Sequence, residues 1–272
     1  MAPKKQFKDL DLNNGFLFSA AMEHPEICTL VLECILGKPQ GNIRVKTERS
    51  ILFDSDFRCV RLDVYASDEW DVAYNLEMQN VNEKNLPKRS RYHQAEMDVS
   101  SLKPGQDIND LRPSVIVFIC NFDPFGKKKY QYTFEPRCLE EDFSLDDGTK
   151  RIFLNTKGEN ESEVPTLLVH FLHYVGDSSD HYVEGINDEA INKLHARIKA
   201  LKESRRLEER YMQFQELLDR EHKEGREEGI KEGADKMLTL VTRMLSDGLA
   251  DDVIRLQNDD DFYQTMLKKY NL

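Results

Sequence analysis

Residues 58–80 read RCVRLDVYASDEWDVAYNLEMQN. Two runs with β-branched and aromatic members, 58–67 and 72–80, flank a polar turn near Trp70. Their period-2 alternation predicts a β-hairpin with a loop of about five residues. Leu62, Val64 and Ala66 fall on one face of the first run, and Arg61, Asp63 and Tyr65 on the other. In the second run Leu76 and Met78 share a face, with Glu77 and Gln79 opposite. If the hairpin is symmetric about residue 70, Asp63 lies opposite Glu77, because each is seven positions from the centre. Directly opposed Cβ atoms lie roughly 4.5–5.5 Å apart. Two carboxylates that close repel unless a cation or a proton lies between them. A hard divalent ion, Mg²⁺ or Mn²⁺, meets that need with oxygen ligands. Gln79 shares the Glu77 face and its amide can orient water or a phosphate oxygen. The plainer alternative is a solvated acidic face, with Asp63 and Glu77 exposed or paired with Arg61.

Outward from the hairpin the pattern is mixed. Residues 85–103 are polar and periodic and predict a helix that ends before Pro104-Gly105. Residues 113–122, PSVIVFICNF, form an unbroken apolar run, the mark of a strand covered on both faces and parallel to a neighbour. Further strands are expected at 130–134 and 151–155, around an Asp146-Asp147-Gly148 turn. Upstream, 43–53 is extended in character. Before it, Pro25 opens a helix striped by Ile27, Leu30, Val31, Cys34 and Ile35 and stopped by Gly37 and Pro39. An earlier short helix carries Phe16, Phe18 and Met22.

The remainder reads as helical. One apolar helix spans 164–175, and a long one, 187–220, is striped by Ile191, Leu194, Ile198 and Leu201 and on to Leu218. Gly225, Gly229 and Gly233 then recur every four residues, each after a Glu. Three helical glycines cost about 1 kcal/mol each relative to alanine. Either close helix approach offsets that cost, or the segment is a charged hinge. Gly248-Leu249 marks a turn, and Asp251-Asp252 are placed to cap the final helix. The expected division is a core over 1–160, a helical extension over 161–220 suited to self-association, and a tail over 221–272.

Composition narrows the function classes. The 272 residues hold 38 Lys+Arg against 50 Asp+Glu, a formal charge of -12. That sum bears little on nucleic-acid binding, which depends on where cations cluster. Lys84, Lys88 and Arg91, with Arg89, Tyr92 and His93, form a basic and aromatic patch just after the hairpin, suited to phosphates. Lys127, Lys128 and Lys129 form a second cluster that, taken alone, reads as solvated surface lysines balancing an acidic chain. Asp123 ends the apolar strand, either beside a site or as an Asp-Pro turn former. His170 and His173 lack metal-ligand spacing and read as core histidines. Five widely spaced cysteines without a CxxC pair predict buried, reduced thiols. The absence of a long apolar run argues against a membrane partner and, with no apolar leader after the first lysines, for the cytoplasm.

The motifs LDVYASDEWDVAYNLEMQ, KRSRYHQAEMD and LRPSVIVFICNFDPFGKKKYQYTF, taken in order, resemble the PD-(D/E)XK nuclease family transposases. The resemblance runs from about residue 11 to 155 and implies an α/β fold: a restriction-endonuclease-like mixed sheet core flanked by helices, followed by a helical C-terminal region. It implies that Asp63 is the metal-binding aspartate and Glu77 the acidic member of the (D/E)XK element. Gln79 stands where the superfamily usually carries lysine and brings no charge. Arg89 and Tyr92 match helix residues that organise phosphate or the active site, while Lys88 and Arg91 extend the patch toward DNA. An upstream helix often adds an acidic residue, for which Glu26 and Glu33 are candidates. The implied activity is metal-dependent hydrolysis of DNA phosphodiesters, with Mg²⁺ or Mn²⁺ as cofactor and a homodimer through the C-terminal helices. The alternative is an inactive nuclease-like core that binds DNA or protein.

Overall fold

In the computed structural model, which describes residues 5–41, 43–47, 64–67 and 72–272, the chain begins with two short helices. Asn14 caps α1 (Gly15–Met22) by accepting from the Leu17 N–H. α2 (Pro25–Leu36) begins on proline, whose missing N–H has no helical partner to lose. It ends at Gly37, whose φ of +66° a β-carbon would disfavour. Ile27, Val31, Cys34 and Ile35 are buried as the stripe requires.

The sheet follows. β1 (Arg44–Thr47), β2 (Val64–Ser67) and β3 (Ala73–Gln79) are joined antiparallel. α3 (Leu86–Ser101) then leads to β4 (Ser114–Cys120), parallel to β3. β5 (Gln131–Phe134) and β6 (Thr149–Asn155) complete six strands in the order β1-β2-β3-β4-β6-β5, with β6 parallel to β4 and β5 antiparallel on the edge. The apolar run is thus the central parallel strand that its composition predicts. Asp146 and Gly148, at φ +55° and +77°, make the turn before β6.

Val64 pairs with Leu76, Tyr65 with Asn75, Ala66 with Tyr74 and Ser67 with Ala73. Every pair is symmetric about residue 70, which is the register read from the sequence. Asp63 itself lies outside the described residues. Parallel pairing sets Asn75, Glu77 and Gln79 level with Ile116, Phe118 and Cys120, and these with Arg151, Phe153 and Asn155. α3 covers this face, where Leu86 and Met97 join the core of Ile116, Phe118, Cys120 and Phe153. Tyr74 and Leu76 are buried as well, so β3 is enclosed on both sides.

The long 187–220 helix of the sequence reading is divided. α4 (Thr166–Gly176) and α5 (Asp180–Ile186) precede α6 (Glu189–Lys202), which Asp188 caps by accepting from Ala190 and Ile191. α4 and α6 pack on α2. Ser204 then restarts the chain as α7 (Arg205–Ser246), a local capping event that an unbroken apolar stripe conceals. The chain divides into two compact units, 1–208 and 209–272.

α7 runs as one helix of 42 residues through Gly225, Gly229 and Gly233, so the glycines form no hinge. A β-carbon added at any of them meets nothing within 4 Å, so no close packing within the chain offsets their cost either. In the second unit Leu240, Met244 and Leu256 form a small core with Phe262, Met266 and Tyr270. α8 (Asp260–Tyr270) is capped by Asp259; Asp251 and Asp252 lie inside a preceding 3-10 turn and do not cap it. Among the described residues no helix is long and apolar enough to cross a membrane.

Candidate active site

Three polar side chains line one face of the buried strand β3: Asn75, Glu77 and Gln79. Burying a carboxylate is costly unless it is paired and hydrogen-bonded, and Glu77 is only 4% exposed. α3 supplies the pairing. Pro87 in its first turn sets the start, and Arg89, His93 and Glu96 then fall on one inward stripe at spacings of four and three. The Arg89 guanidinium lies 3.2 Å from Glu77 Oε2, and His93 Nε2 lies 2.9 Å from Oε1. Gln79 donates its amide to Oε2 at 3.2 Å and accepts from Arg89 at 3.3 Å. Arg89 Nε also reaches His93 Nε2 at 3.3 Å, and Asn75 Nδ2 approaches Oε1 at 3.5 Å. His93 packs edge-on against Phe118 and approaches Glu96 through Nδ1 at 3.5 Å.

Burial alone pushes the Glu77 carboxyl up. The His93 hydrogen bond, the His93 and Arg89 charges and the Asn75 amide outweigh it, so the net displacement is downward and the group is held as a carboxylate.

Of the residues singled out in the sequence, Glu77, Gln79 and Arg89 are brought together. Lys88, Arg91 and Tyr92 are exposed on the outer side of α3, away from this pairing. Lys84 precedes the helix and does not extend its basic face. Asn75 is the residue missed, and His93, read as part of the basic patch, instead pairs with Glu77. The i, i+4 spacing of Arg89 and His93 and the i, i+2 spacing of Asn75 and Glu77 were the available signals.

The weaker candidates resolve into structural roles. Asp123 Oδ1 accepts from the Phe125 and Gly126 amides and the Tyr132 hydroxyl, and Oδ2 from the Lys128 amide. It is a turn former. Lys128 pairs with Glu159 and Lys129 with Glu163. His170 pairs with Asp188, and His173 meets the Tyr130 hydroxyl. Glu26 pairs with Arg197, and Glu33 accepts from the Gln40 amide. Burial pushes the Cys28, Cys34 and Cys120 thiols up to about 12, which makes them poor nucleophiles.

Among the described residues no cluster of three or more His, Cys, Asp or Glu is arranged for a metal. The donor chemistry at Glu77 nevertheless suits a hard cation. Its two oxygens and the Gln79 carbonyl are hard donors. Beside them Asn75 Oδ1 is a buried acceptor with no hydrogen-bond partner, a group that a nearby cation would satisfy.

Residues 11–225 match the family described as PD-(D/E)XK nuclease family transposase. The chain belongs to that family. No curated protein and no solved structure matches it. Membership puts the chain among nuclease-type transposases, supports a nuclease and mobile-element role and implies a DNA substrate. PD-(D/E)XK nucleases generally use divalent metals.

Proposed function

We propose that this member of the PD-(D/E)XK nuclease family transposases is a cytoplasmic, metal-dependent DNA endonuclease acting in recombination or mobile-element activity. The observation that supports the reading best is the buried Glu77 carboxylate held beside Gln79 by Arg89 and His93 on one face of β3. Asp63 and Glu77 would hold Mg²⁺ or Mn²⁺. When bound, the ion supplies a Lewis acid for the phosphodiester and a more acidic water.

The chain's own residues do the rest. His93 and Asn75 orient the Glu77 carboxylate. Gln79 cannot bring the charge of the usual lysine, but its amide can orient a water. Arg89 touches both Glu77 and Gln79, so it carries a guanidinium to the place where that charge is missing. It would meet a non-bridging phosphate oxygen, a task suited to its fork of donors. Lys88, Arg91 and Tyr92 would contact the DNA backbone from the outer side of α3. In this reading residues 1–160 hold the chemistry, while 161–220 and the 221–272 tail serve assembly, and cutting both strands would use two protomers joined through the C-terminal helices.

The test is nicking of supercoiled plasmid in Mg²⁺ or Mn²⁺ by the parent, Asp63→Ala and Glu77→Ala. Open-circular or linear product from the parent alone is expected. No product from a folded parent across salt and protein concentrations would overturn the reading. A second reading, an inactive core that binds DNA or protein, is favoured by neutral Gln79 and by the pairing of both Glu77 oxygens. It predicts Mn²⁺ binding no weaker after Asp63→Ala than before.

A further inference from the structure

Beyond the edge strand β5 the chain leaves the sheet as an arm, residues 134–147. The arm has a fixed shape. The Cys138 amide donates to the Phe143 carbonyl at 3.0 Å and the Leu145 amide to the Pro136 carbonyl at 2.9 Å. Arg137 bridges to Ser144 and pairs with Asp142 at 2.7 Å. Yet Leu139 is 96% exposed, and Phe143 and Leu145 are also solvent-facing, while Phe134 at the base of the arm packs on Phe125 and Phe153. Three large apolar side chains ordered in the open on one short segment are a docking signature, since solvated loops gain nothing from them. Glu140, Glu141 and Asp146 intersperse them, and the one arginine is already paired with Asp142. The complement is a surface both apolar and cationic.

The chain carries such a surface. Lys88, Arg91, Tyr92, Ala95 and Val99 recur at helical spacing along the outside of α3, and all are exposed, Val99 by 79%. Among the described residues no ion pair ties Lys88 or Arg91 to a carboxylate. The α3 acids turn elsewhere, Glu96 toward His93 and Asp98 to accept from Gln94. Cations lie toward the helix start and the apolar side chain toward its end.

We propose that the acidic, apolar arm of one copy docks on the α3 strip of a second copy, and the reverse, giving a two-fold pair. In a two-fold pair each copy would offer its arm to the other's strip, so that both contacts would form in one closed assembly. One consequence rests on the nuclease reading: DNA and the arm compete for Lys88, Arg91 and Tyr92, so pairing covers the nucleic-acid face until DNA displaces it.

The experiment is sedimentation of the full chain. The parent is expected to sediment above the chain mass, with association that weakens in high salt, the arm–strip contact adding to the one proposed for the C-terminal helices. Leu139→Asp with Phe143→Asp, or Arg91→Glu alone, is expected to weaken association by at least about tenfold. All three side chains are exposed, so folding should be retained, and unchanged far-ultraviolet circular dichroism checks it. Adding Glu140→Arg and Glu141→Arg to Arg91→Glu should restore the pair. A parent that stays single up to about 100 μM, or a pair unmoved by the arm and strip variants, overturns the proposal. A short duplex is then titrated into the parent. Binding without loss of the pair overturns the competition, and failure to bind counts against the nuclease reading while leaving the pairing result intact.

Discussion

Glu77→Gln tests whether the candidate site is held together as its geometry implies. Glutamine keeps the shape of the side chain but turns one acceptor oxygen into a donor. In the parent, Oε1 faces His93 and Oε2 faces Arg89 and Gln79. Turned toward Arg89 and Gln79 the new N–H faces donors, and turned toward His93 it needs Nε2 to accept rather than donate; either way at least one charge-assisted hydrogen bond is lost, worth about 1.5–3 kcal/mol. Relief from burying a charge offsets part of this. The lowered carboxyl pKa says that the partners more than repay the burial, so the expected net loss is about 2 kcal/mol at pH 7. The sign with pH follows. A carboxyl with a folded pKa below its ordinary 4.5 binds fewer protons folded than unfolded. Its contribution is therefore complete above 4.5 and disappears as pH falls through the folded value. A protonated Glu77 is nearly a glutamine, so the gap between parent and variant should close in acid. Urea midpoints at pH 7 and at several values below 4.5 measure this, with an expected neutral shift of about 1 M. A variant as stable as the parent at pH 7, or a gap that does not change with pH, would refute the account of how Glu77 is held.

Arg89→Ala is expected to slow plasmid nicking about 100-fold by removing a positioned cation, and Gln79→Lys added to it should recover part of the rate, measured under single-turnover conditions. Asp123→Ala strips the acceptor from three amides and the Tyr132 hydroxyl, so hydrogen exchange at Phe125, Gly126 and Lys128 should accelerate while β4 stays protected. Gly158→Ala would drive its β-carbon to 2.4 Å from the Tyr130 ring and 2.6 Å from its backbone nitrogen, and should cost about 1–3 kcal/mol in thermal unfolding. Gly225→Ala meets no neighbour and should instead stabilise α7 by about 1 kcal/mol.

What could be read in advance follows the range of the interaction that decides it. The hairpin register was legible because strand period and turn position are local, and a single centre at residue 70 orders all four pairs found. The run 114–120 was legible because a strand buried on both faces needs no partner to explain its composition. The lysine triplet read correctly as surface lysines balancing acidic residues, but its partners were not legible, because Lys128 and Lys129 find their carboxylates 31 and 34 residues away. Nor was the break at Ser204, where a local cap overrides an apolar period that continues past it.

His93 is the instructive reassignment. Helical spacing places Arg89, Tyr92 and His93 within four residues of one another, but only the rotation of α3 about its axis decides which of them meets β3. That rotation is set by Leu86 and Met97 packing into the core of Ile116, Phe118, Cys120 and Phe153. Once those anchors are seated, positions 89 and 93 turn inward and 88, 91 and 92 outward. The basic patch that reads as one feature in the sequence therefore becomes two. The inner part neutralises Glu77 beside the uncharged Gln79; the outer part is exposed on the far side of the helix. Substitutions in the two parts should accordingly separate. Arg91→Glu should alter binding and assembly while leaving the neutral-pH unfolding free energy from urea titration within about 0.5 kcal/mol of the parent, as for other surface changes. Arg89→Ala should lower that free energy by leaving Glu77 short of a partner. Equal stability losses from both would mean that α3 is rotated differently from the arrangement on which the site depends.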